Sequence, residues 1–108
     1  MARVLLDTTR ITDWTSFHSI CKEVFGFPSF YGMNMNAWID CMSYIHEGDG
    51  MSKFHLAVDE KLTIEIGESH EFRARLPEMF EALIDSINFV NERQIEDMGA
   101  PMLIVELL

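Results

Sequence analysis

Apolar positions recur along this chain with two different periods, and each change of period marks a change of element. Val4, Leu5 and Leu6 form a short apolar run that reads as a buried strand, with Asp7-Thr8-Thr9 as the turn behind it. From Trp14 the spacing becomes helical: Trp14, Phe17, Ile20, Cys21 and Val24 share one side. Thr12 or Asp13 caps that helix, because either side-chain oxygen can take a free N–H of the first turn. Gly26 ends it at no steric cost, and Pro28 prevents a restart. Asn34 is placed to cap a second helix that runs to about His46 or Glu47, with Met35, Trp38, Cys41, Met42 and Ile45 on its inner side. The stretch Glu47-Gly48-Asp49-Gly50 terminates it.

Residues 51–60 alternate only weakly, at Phe54, Leu56 and Val58, and read as a long loop with some buried anchors, with a short strand as the alternative. Leu62, Ile64 and Ile66 then alternate with Thr63 and Glu65, the period of a strand. Ser69 is expected to cap a short helical turn from His70 to Arg75. Pro77 suits the first position of a longer helix, whose buried face is Phe80, Leu83, Ile84, Ile87 and Val90 or Asn91, and Gly99 closes it. After Pro101 the run MLIVELL is a last strand. Strands separated by helices favour parallel pairing. The expected fold is therefore α/β, one domain over residues 1–108, with a small three-stranded parallel sheet and about four helices.

Composition adds a constraint on partners. Eighteen acids oppose eight bases, for a formal charge of -10. A nucleic-acid binder neutralises phosphates with Lys and Arg. This chain has too few, so nucleic acid and anionic membranes are excluded as partners, whereas a basic protein is drawn in. No segment approaches the ~20 apolar residues of a membrane span, and the N-terminal apolar run after Arg3 is too short for a secretion signal. A cytoplasmic location is expected.

Candidate chemistry is sparse. Cys21 and Cys41 read as free buried thiols. There is no Gly-rich phosphate loop and no nucleophile elbow, so no enzyme is expected. His18 and Cys21, three apart on the first helix, make only half of a metal site, and His46, His55 and His70 are scattered surface residues. Neither a metal nor a cofactor is expected.

The informative stretch is polar. On the second helix Asn36, Asp40, Ser43 and Glu47 recur at i, i+4, i+7 and i+11, one face at ~100° per residue. Ile39 and Tyr44 flank this stripe, so part of the apolar content frames Asp40 instead of filling the core. The plain alternative is that such a stripe is just the solvated face of an amphipathic helix. Glu81, Asp85, Asn88 and Glu92 repeat the spacing on the long helix. From Leu76 to Leu108 seven acids stand against one base, Arg93.

The segment GFPSFYGMNMNAWIDCM, Gly26 to Met42, resembles the barstar family of bacterial ribonuclease inhibitors. Pro28, Phe30, Tyr31, Gly32, Asn34, Asp40 and Cys41 stand at the family's spacing, and the order of the flanking elements fits over roughly residues 2–107. The resemblance implies an inhibitor that plugs a ribonuclease active site with its loop and second helix. Asp40 would there take the place of an RNA phosphate. The implied contact set is Phe30, Tyr31, Gly32, Asn34, Asn36, Ile39, Asp40, Ser43, Tyr44, Glu47 and, as a supplementary acid, Glu92. A carboxylate suits this task because phosphate sites are built from cationic fork donors that it matches.

The implied partner is a basic ribonuclease or toxin domain, met by a free monomer. The chain departs from the family at several points. Asn36 stands where Asp is frequent, Phe30 where Tyr is, and Ile39 where a Trp often precedes the aspartate. Tyr44 and Ile45 replace a Gly-Trp pair. These changes bear on target choice. The alternative function is a protein-binding module, or an immunity protein against a toxin that is not a ribonuclease.

Overall fold

The computed structural model describes residues 2–45, 52–54, 56 and 60–108. The first strand, β1 (Ala2–Leu6), is followed by a 3₁₀ turn at Thr8–Arg10 and helix α1 (Trp14–Phe25). Helix α2 (Met35–Ser43), strand β2 (Leu62–Ile66), helix α3 (Ser69–Arg75), helix α4 (Pro77–Met98) and strand β3 (Leu103–Leu107) complete the chain. The strands form one parallel sheet in the order β1-β2-β3, with Val4, Ile64 and Val105 in register. Among the described residues this is the expected α/β architecture, with three parallel strands and four helices.

Local chemistry explains where the elements begin and end. Asp13 accepts from the Ser16 backbone N–H at 2.8 Å, and the Ser16 hydroxyl oxygen accepts from the Asp13 N–H at 3.0 Å, a reciprocal cap on α1. Gly26 ends α1 with φ 67°, in the left-handed region. Pro77 opens α4, where its missing N–H costs no helical bond, and Gly99 closes it with φ 84°.

Three expectations are corrected. Trp14 sits on the apolar stripe of α1 but is 43% exposed, because it occupies the helix's first position and borders an open cleft. Ser69 does not cap α3. Its hydroxyl donates instead to the Leu108 carbonyl at 2.8 Å, tying α3 to the end of the chain, and the capping position is Glu68, with φ 49°. Helix α2 ends at Ser43, before the expected His46 or Glu47. His46, Glu47, the Glu47–Gly50 terminator and Val58 lie outside the described residues. Of the loop anchors, Leu56 is buried and donates its N–H to the Ile45 carbonyl at 3.1 Å. Phe54 is half-buried, and the Lys53 N–H reaches the Phe25 carbonyl at 2.9 Å. These bonds tie the described part of the loop to the ends of α1 and α2.

One core joins sheet and helices. Leu6, Ile64 and Ile66 of the sheet, Phe17 and Phe25 of α1, Trp38 of α2, Phe72 of α3 and Leu83 of α4 are all fully buried. Trp38 meets Phe25 edge-on at 6.0 Å between ring centroids, so α2 is anchored through its inner side to α1. That anchoring leaves the opposite side of α2 outward.

Candidate functional site: a loop-helix face around Asp40

The loop before α2 is held by its interior. Tyr31 is buried, and its hydroxyl lies 2.7 Å from Nδ1 of the buried His18. The Tyr31 ring packs on Phe27 at 4.7 Å and on His18 at 5.7 Å, and Trp14 stacks over His18 from outside at 5.8 Å. Burial lowers the His18 pKa from its ordinary value. The Tyr31 pKa is raised, chiefly by burial and further by the neighbouring Cys21 and Cys41 thiols, so a neutral imidazole faces a protonated phenol.

With Tyr31 turned inward, its neighbour Phe30 is turned outward and is 74% exposed. Gly32 sits tightly behind it: a Cβ there would meet Ala37 Cβ and Asn34 Nδ2, each at 3.4 Å. Asn34 fills the capping role expected of it. Its side-chain oxygen accepts from the Ala37 N–H at 2.8 Å, and its amide donates to the Gly32 carbonyl at 3.2 Å, so the loop and the helix start are one unit.

On α2 the periodicity works out in part. Trp38, Cys41 and Met42 are buried, while Asn36 and Asp40 face solvent. Asp40 is 64% exposed at its side chain. It borders a shallow pocket of about 180 Å³ shared with Phe30, Tyr31, Gly32, Ala37 and Cys41. Ile39 is half-buried and Tyr44 is exposed, so apolar surface stands beside the carboxylate.

Ser43 departs from the expected polar stripe. It is buried where α4 packs over the end of α2, and its hydroxyl donates to the Ile39 carbonyl at 2.6 Å. Tyr31 is likewise turned inward, so within the expected contact set these two side chains form the base of the face. Glu92 is exposed on α4, as are Glu81, Asp85 and Asn88. Glu47 lies outside the described residues.

Arg93 was not among the expected site residues. Its Nη1 lies 4.0 Å from Asp40 Oδ1 and donates to Ser43 Oγ at 3.4 Å, and its guanidinium lies 5.7 Å from the Phe89 ring centroid. The available signal was its isolation as the single base after Leu76.

Among the described residues no group of three or more His, Cys, Asp or Glu can hold a metal. The half-site of His18 and Cys21 has other work, since His18 is engaged with Tyr31. Cys21 and Cys41 are buried and form no disulfide among the described residues, and burial pushes the Cys21 thiol up to about 12. Among the described residues no helix is long and apolar enough to cross a membrane.

The fold and this face define a class: a small parallel α/β domain whose capped second helix presents a carboxylate framed by apolar side chains. The family model described as Barstar (barnase inhibitor) matches residues 1–105, essentially the whole chain, and the chain belongs to that family. Membership supports a ribonuclease-inhibitor-like role in general and a ribonuclease as partner. No curated protein gives a significant match.

Proposed function

We propose that the protein inhibits a basic ribonuclease by inserting the loop-helix face centred on Asp40 into the enzyme's active site. The observation that carries this reading is the exposure of Asp40 in the middle of a rigid face. It is 64% exposed, on a helix whose start is capped by Asn34 and whose inner side is locked by Trp38. A carboxylate held in this way reaches the Arg and Lys of a phosphate site without having to order its own backbone first. Phe30, Ile39 and Tyr44 exclude water around the new charge pairs, which strengthens them. Asn36 adds an amide that can both donate and accept. The protein is then an antitoxin or immunity factor acting in the cytoplasm, with neither catalysis nor a cofactor of its own.

The test is inhibition of a purified barnase-type ribonuclease by the wild type and by Asp40→Ala. Truncation leaves enzyme cations buried and unpaired, a cost of about 2–5 kcal/mol, or roughly 30-fold to several-thousand-fold in affinity. The melting temperature is expected to stay at the wild-type value, since Asp40 supports no core contact. A parallel loss of stability and inhibition would assign Asp40 a structural role. Capture of a toxin that does not cleave RNA would replace the ribonuclease by another target.

A further inference from the structure

A cation stands beside the carboxylate at the middle of the proposed face. α4 carries Arg93 against α2, and three contacts fix where its guanidinium points. Nη1 donates to Ser43 Oγ at 3.4 Å and lies 4.0 Å from Asp40 Oδ1, while the guanidinium plane is borne by the Phe89 ring at 5.7 Å. Ser43 is itself oriented, because its proton goes to the Ile39 carbonyl at 2.6 Å and leaves a lone pair for Arg93. The Arg93 side chain remains 42% exposed beside the open Asp40. An ion pair this long and this wet adds little to stability. Its consequence lies in recognition: a partner that reaches Asp40 also meets Arg93.

A face shaped only for a cluster of cations is weakened by a positive charge beside its one central acid. The same pair fits a different cleft well, one in which an acid stands next to the phosphate-binding bases. RNA cleavage by acid–base catalysis needs a proton acceptor close to the scissile phosphate, and a carboxylate is one of the groups that serve. Such a cleft carries cations and an anion a few ångströms apart, the complement of Asp40 and Arg93. Arginine matches a carboxylate with paired N–H donors, and Nη2 and Nε of Arg93 have no other partner among the described residues.

We propose that Arg93 is a specificity-determining residue of this face, pairing with the general-base carboxylate of the target ribonuclease while Asp40 occupies the adjoining phosphate site. Ser43 and Phe89 are the positioning residues that hold the guanidinium in place. The proposal rests on the reading of Asp40 as a phosphate substitute and adds to it which ribonucleases are accepted: those whose base is a carboxylate, over those that work with imidazoles alone.

The experiment is a two-by-two binding cycle by calorimetry. Wild type and Arg93→Gln are each titrated into a ribonuclease whose general base is a glutamate, intact and with that glutamate replaced by glutamine. Wild type is expected to bind the glutamine form at least tenfold less tightly. Arg93→Gln is expected to bind the intact enzyme at least tenfold less tightly than wild type does, and to bind both enzyme forms alike or the glutamine form better. Arg93→Lys should regain part of the loss, and the melting temperature of Arg93→Gln should match wild type, which a purely structural arginine would not allow. Equal or tighter binding by Arg93→Gln, or the same loss on amidation with either protein, overturns the assignment of Arg93 and leaves the Asp40 reading standing. Failure of the wild type to bind either enzyme form overturns both.

Discussion

Two adjacent aromatics divide the tasks of the loop before α2. Phe30 offers its ring to solvent, and Tyr31 turns in to meet His18 Nδ1 at 2.7 Å. The alternation follows from the turn at Pro28, where the Tyr31 N–H reaches the Pro28 carbonyl at 3.0 Å, and from the left-handed Met33 that follows at φ 55°. A sequence reading places both aromatics on the expected contact face, because the pattern carries no information on which side of a turn a ring falls. The His18–Tyr31 pair has a pH consequence. Burial among Trp14, Phe17 and Tyr31 lowers the His18 pKa from 6.5 in the folded protein. Between the folded and unfolded values the unfolded chain binds more protons, so this group makes stability rise with pH. The contribution is fully present above about 6.5. It declines as pH falls through that value and levels off once the folded value is passed. Urea unfolding at pH 7.5 and 5.5 should therefore show a loss of stability in acid that is smaller in His18→Gln. Equal losses in the two proteins would remove His18 as the source.

At the scale of elements, the helix ends offer a clean comparison. Gly26 and Gly99 both sit in the left-handed region, at φ 67° and φ 84°, but their surroundings differ. A Cβ on Gly26 would stand 2.6 Å from Lys53 Cβ and 3.0 Å from the Lys53 nitrogen, where the loop crosses the end of α1. A Cβ on Gly99 meets nothing within 4 Å. Gly99→Ala should cost only the backbone strain, about 1–2 kcal/mol. Gly26→Ala should cost more, with a fall in melting temperature of about 4–8 °C for each kcal/mol in a domain of this size. Thermal melts of the two variants decide the matter, and equal shifts would mean that Lys53 moves aside freely.

These caps, with Asp13, Asn34 and Pro77, are legible in the sequence because their chemistry is confined to a few neighbouring residues. The parallel sheet is legible for a similar reason, since helices between apolar strands leave few other arrangements. What escapes is decided by which surfaces meet. Trp14 lies on a correct apolar stripe but borders an open cleft of about 450 Å³ against Arg75, Leu76 and Met79, so the stripe overstates its burial. Ser43 has the right spacing for a solvated face, yet α4 covers it. Arg93 escapes for the complementary reason: its proposed role comes from lying across from Asp40, fifty-three positions away in the chain.

The charge of the whole molecule is unevenly balanced. Arg3 bridges Glu65 at 3.0 Å and Glu106 at 3.1 Å across the sheet, Arg10 pairs with Glu23, and Arg75 with Glu71. Glu78, Glu81, Asp85, Glu92, Glu96 and Asp97 of α4 are all exposed, with Arg93 the only base on that helix. The resulting field acts at two ranges. In the proposed complex Asp40 acts by contact, where water and salt are excluded. Glu81 lies about 18 Å and Asp85 about 12 Å along the helix axis from Arg93, from a rise of ~1.5 Å per residue. Both distances exceed the Debye length of ~10 Å at 0.1 M salt, so these acids act on an approaching basic enzyme mainly in dilute salt. The rate of association with a barnase-type ribonuclease should therefore fall steeply from about 0.02 to 0.3 M salt, by roughly tenfold or more, while dissociation changes little. The double variant Glu81→Gln, Asp85→Asn should slow association at low salt, match wild type at high salt and keep the wild-type dissociation rate. Stopped-flow measurements at both salts separate the terms. An association rate indifferent to salt would show that the acids of α4 serve no steering role, and a faster dissociation in the double variant would place them inside the contact instead.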